Sequence, residues 1–222
     1  MGKGEVLKKQ IQYYAYCIGA LLFLNFGKTI GNNGIVYLAM GLETIALLMA
    51  LLGEGIGDVY SKMLRSRRKR GLYHDAIVVK KRVSFIQIFL GIIFVILSLV
   101  FADSIAIKLF QTERCALLIR ILSPLLLLRA VNNILGGYLQ SLGQHLLIAV
   151  TYVLRMVLFG ILSAAFLTNR LEYGKKVAAL LKSDDYIGLH GAIGISIGIV
   201  VTEIIIVITL LVFYFLNEVL LC

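Results

Sequence analysis

The sequence predicts an all-α membrane protein of six transmembrane helices, and three observations carry that prediction. First, 60% of the 222 residues are hydrophobic and only 15% charged, with a mean hydropathy of +0.94; soluble domains run nearer ~45–50% and ~25%. Second, the apolar residues gather into six runs, each close to the roughly 20 residues that cross a hydrocarbon core as a helix. Third, the alternating ten-residue segments of a membrane β-barrel are absent, so helices must satisfy the backbone inside the bilayer. This composition excludes a disordered chain, a disulfide-rich secreted domain and an ordinary soluble enzyme. Pro124 is the single proline among 21 glycines. Cys17, Cys115 and Cys222 are odd in number and lack metal-ligand spacing, which argues against a disulfide framework.

In chain order, the expected spans cover about 11–27, 35–59, 83–102, 116–139, 146–167 and 189–216. The first follows a leader with Lys3, Lys8 and Lys9, but no small-residue cleavage site, so it reads as a retained helix rather than a signal peptide. Span three carries no charge. Span six exceeds 20 residues and is expected to tilt or project. Residues 60–82 read as a basic cytoplasmic loop: Lys62, Arg65, Arg67, Arg68, Lys69, Arg70, Lys80, Lys81 and Arg82 stand against Asp75 alone. With the N-terminus on the same side, twelve Lys and Arg face seven on the other. The positive-inside rule then sets both termini in the cytoplasm. The loop reads as a topology signal beside anionic lipid. No stacking aromatics interleave with its charges, so no nucleic-acid partner is expected.

Seven ionisable residues fall inside the spans: Glu43, Glu54 and Asp58 in span two, Arg120 and Arg129 in span four, Arg155 in span five and Glu203 in span six. Each costs on the order of 2.5–3.5 kcal/mol at the bilayer centre unless paired or wetted. On an ideal helix the three acids of span two share one face, and Arg129 shares a face with Asn132, Asn133 and Gln140. Arg120 points the opposite way unless Pro124 kinks the helix. Two readings stay open. The charges either pair for packing (Arg129 with Glu203, or Arg155 with Glu43), or they line a polar cavity for a charged substrate or ion. In span six, Gly188, Gly191, Gly194 and Gly198 predict close helix packing.

Three local patterns carry a family resemblance. IGNNGIVYLAM follows span one; GIGDVYSKMLRSRRKRGLYHDA closes span two; LSPLLLLRAVNNILGGYLQSLGQ, followed by TYVLRMVL, fills spans four and five. In order and spacing, over roughly residues 10–216, these resemble the N-terminal half of the multidrug/oligosaccharidyl-lipid/polysaccharide exporter superfamily. The nearest branch is that of stage V sporulation protein B and the lipid II flippases. The resemblance implies one six-helix lobe of a two-lobed, alternating-access transporter in the bacterial cytoplasmic membrane. It implies a lipid-linked anionic substrate met by Arg129, Arg155, Asn132, Asn133 and Arg120, with Glu43, Glu54, Asp58 and Glu203 as candidate ion-coupling residues. A second lobe, from a second copy or a separate chain, is expected, because the chain spans one lobe. Gly57 stands where the branch has Pro, and span one lacks the Arg that lipid II flippases use there.

Two alternatives remain at this level: a cation-coupled multidrug exporter lobe, and a non-transporting remnant or scaffold. Neither a metal-ligand set nor a His/acid/nucleophile grouping is visible. His74, His145 and His190 fall in loops or at span ends, so no enzyme, metal or cofactor is expected.

Overall fold

The structure, a computed structural model, describes residues 3–53 and 55–221. Glu54 and Cys222 lie outside the described residues. Seven helices follow one another: α1 Lys3–Leu51, α2 Ile56–Lys69, α3 Tyr73–Phe110, α4 Cys115–Leu122, α5 Pro124–Ser141, α6 His145–Leu181 and α7 Asp185–Leu221. No strand occurs among the described residues. The protein is therefore an all-α membrane protein: five helical stretches are long and apolar enough to cross a bilayer.

The first of these, Gly4–Lys69, has 66 residues and would reach about 100 Å if straight. It is not straight. Gly31 adopts φ 74° and ψ 173° inside α1, a region closed to residues with a side chain. The ends of the stretch meet: Lys8 Nζ lies 3.1 Å from Asp58 Oδ1, and Arg65 lies 3.6 Å from Glu5. Residues 50 or more positions apart touch in this way only if the chain doubles back. A second break, at Gly53 (φ 82°) and Gly55 (φ 99°), separates α1 from α2.

The basic segment 60–82 is not a loop. α2 continues through Lys69, a short turn at 70–72 uses Gly71 (φ 76°), and α3 starts at Tyr73. Arg and Lys are good helix formers, and Gly71 alone interrupts them. The helices also outrun the apolar runs. α3 has 38 residues, and α6 and α7 have 37 each, against roughly 20 for the hydrocarbon core.

α4 and α5, joined at Ser123, form the most buried of the five stretches. Leu118, Ile119, Leu122 and Leu126 are fully enclosed there. Pro124 opens α5, where its missing N–H costs nothing. The polar residues of α5 thus face the interior. The glycines of α7 bring it close against α1 and α6. A β-carbon at Gly198 would lie 2.5 Å from Ser163 Oγ on α6, and one at Gly194 would lie 2.8 Å from the Phe166 carbonyl. Only hydrogen fits at such separations, so α6 and α7 meet backbone to backbone.

Candidate functional site

Glu203, on α7, is the centre of the buried polar cluster. Asn132 on α5 donates from Nδ2 to its Oε2 at 2.8 Å. Arg155 on α6 donates from Nη2 to the same oxygen at 3.3 Å, and its Nε lies 3.0 Å from Oε1. Arg129 on α5 brings Nη2 to 3.0 Å from Oε1. One carboxylate therefore balances two guanidiniums, and the cluster keeps one net positive charge. Three helices are tied at a single side chain.

The two arginines differ. The Arg155 side chain is 11% exposed and lies over the Tyr152 ring at 5.7 Å, whereas Arg129 is 35% exposed. Arg129 borders three cavities around the cluster. Its Nε and the Asn132 Oδ1 are buried without a hydrogen-bond partner. What faces the cavity is the exposed third of the Arg129 side chain, and a planar guanidinium at a cavity wall suits an anion with several oxygens.

A polar cavity of about 350 Å³ runs from Arg129 and Arg155 to Lys8, Asp58 and Gln140. At that far end Lys8 Nζ donates to Asp58 Oδ1 and to Gln140 Oε1, each at 3.1 Å. Lys8, Gln12 and Tyr16 line one side at i, i+4 and i+8, one helix face over about 12 Å. A second space of about 310 Å³ continues past Arg129 and Glu203 to Phe23 and Phe159.

The structure brings Arg129, Arg155, Asn132 and Glu203 into contact, and sets Asn133 and Asp58 on the cavity wall. Of the pairings weighed from sequence, Arg129–Glu203 forms, while Arg155 goes to Glu203 and not to Glu43. Arg120 does not join the site. It is exposed and pairs with Asp103 of α3 at 2.6 Å; Ser123 keeps helical dihedrals (φ −53°, ψ −38°), so the wheel carries across the join and leaves Arg120 on the face opposite Arg129. Glu43 is exposed on α1. The shared acid face of span two fails, since the left-handed glycines 53 and 55 interrupt the helix between Glu43 and Asp58. Sequence reasoning missed Lys8, Gln12 and Tyr16. Hydropathy starts the span at residue 11 and leaves Lys8 in the leader, yet it is 6% exposed. The four-residue spacing of Lys8, Gln12 and Tyr16 was the available signal.

Among the described residues, no group of three or more His, Cys, Asp or Glu is placed to hold a metal ion. No family model matches the chain, and no curated protein or solved structure does.

Proposed function

We propose that the chain forms one six-span lobe of a transporter in the bacterial cytoplasmic membrane, both termini cytoplasmic, that flips or exports a lipid-linked oligosaccharide or polysaccharide precursor by alternating access. The carrying observation is the surplus guanidinium of the Arg129–Glu203–Arg155 cluster: two arginines share one carboxylate, and Arg129 is 35% exposed at the cavity wall. A buried net positive charge is expensive in a bilayer interior. A phosphate or pyrophosphate headgroup compensates it. The doubled-back first stretch supports six crossings, and an even number returns both ends to the basic side. Binding of a second lobe, from another copy or another chain, completes the two-sided cavity.

The cation-coupled reading draws less support. Glu203 is held by two arginines and Asn132, and Asp58 by Lys8, so a metal cation or proton must first displace a base. The test is binding of a prenyl diphosphate to the full chain in nanodiscs. Loss of one charge-assisted contact is worth about 1.5–3 kcal/mol, so Arg129→Ala should weaken binding roughly 10–100-fold while insertion persists. Unchanged binding in both Arg129→Ala and Arg155→Ala overturns the reading. Binding without lipid translocation in vesicles favours the scaffold alternative.

A further inference from the structure

On the other side of the α1–α6 contact from the arginines lies an apolar groove of about 680 Å³. Ile11, Ile18 and Leu22 of α1 and Val153, Val157 and Ile161 of α6 line it. Met156 is shared: it lines both this groove and the space holding Arg155 and Glu203. Its sulfur lies 2.7 Å from where a Gly19 β-carbon would sit, so Gly19 leaves room for the thioether to lie across the seam. Met is unbranched and changes rotamer readily. Met156 thus borders both the charged space and the groove.

We infer that this groove seats the hydrocarbon tail of the molecule whose phosphate is held at Arg129 and Arg155. The inference rests on the anion reading above and adds where the tail lies. The grounds are continuity and polarity: the apolar slot and the cationic space share the Met156 wall, and neighbouring residues of α6 serve one each, Arg155 the charge and Val157 the groove. An amphiphile with an anionic head and a long tail matches both halves. A free phosphate or sugar phosphate uses only the first.

The experiment is photocrosslinking in vesicles with a prenyl diphosphate carrying a diazirine on its tail, alongside a diazirine phosphatidylcholine and binding of inorganic pyrophosphate. Labelling by the prenyl probe is expected to concentrate on residues 11–22 and 153–161, to be competed by unlabelled prenyl diphosphate, and to fall at least tenfold in Arg129→Ala. Val157→Trp with Ile161→Trp should move the label away while pyrophosphate still binds, which also shows that the variant folds. Even labelling of α3, or groove labelling by phosphatidylcholine that matches the prenyl probe and ignores Arg129→Ala, makes the groove ordinary lipid contact and overturns the inference. Failure of the wild-type chain to bind either diphosphate overturns the anion reading itself, and the groove assignment with it.

Discussion

Replacing Glu203 with Ala tests the cluster most directly. The change removes the carboxylate that Arg129, Arg155 and Asn132 share and leaves two like charges facing each other. Breaking a buried ion pair from one side costs about 3–5 kcal/mol. Arg129 is exposed enough to turn toward cavity water, so Arg155 bears most of the penalty and about 3 kcal/mol is expected. Arg155→Ala leaves Glu203 with Arg129 and Asn132 and should cost about 1–3 kcal/mol. Arg129→Ala leaves the Arg155 contacts in place and should cost about 1 kcal/mol or less. The assay is denaturant unfolding in mixed micelles, followed by helical circular dichroism. Millimolar pyrophosphate should then raise the unfolding midpoint of Glu203→Ala more than that of wild type, because the anion takes the carboxylate's place. A Glu203→Ala protein no less stable than Arg129→Ala, or one blind to pyrophosphate, refutes the reasoning.

Further expectations concern the hinge, the mouth and the helix contacts. Gly31→Ala places a side chain at φ 74° with nothing within 4 Å, so the cost is purely backbone, about 1–3 kcal/mol in the same unfolding assay. At the cavity mouth the two halves of one ion pair should behave unequally. Asp58→Ala strands a buried ammonium on Gln140 and should cost about 1–2 kcal/mol, whereas Lys8→Met frees a carboxylate that is 57% exposed and should cost under about 1 kcal/mol. Gly198→Leu pushes α6 from α7 and should lower stability by about 1–3 kcal/mol or more, visible as a lower midpoint of thermal unfolding in detergent.

Helical class and the interior polar residues were legible in the sequence because each rests on a local rule. Apolar run length located the five long apolar stretches, although two of the six expected spans fall within one of them, Gly4–Lys69. Angular spacing put Arg129, Asn132, Asn133 and Gln140 on one face, and all four line the cavity. Contacts between distant helices were not legible. Glu203 lies 48 residues beyond Arg155 and 71 beyond Asn132, and no periodicity reaches that far. Where a glycine enters the left-handed region, the ideal wheel loses its register, and that is why Glu43 and Asp58 part company. Helix ends were misjudged for another reason. Charged residues such as those of 60–82 leave the apolar window without leaving the helix.

The position of Glu203 on the last helix has a consequence for biosynthesis. During translation, Lys8 gains its counter-ion as soon as α2 is made, since Asp58 closes the same hairpin. Arg129 and Arg155 have no such early relief. Both are made and presented to the bilayer before α7 exists, each at an insertion cost on the order of 2.5–3.5 kcal/mol. The nascent protein carries that debt through two helices, α5 and α6, and arrival of α7 relieves part of it in one docking event. Until the α7 carboxylate engages, the earlier helices have an electrostatic reason to stay apart or to linger in a wetter environment.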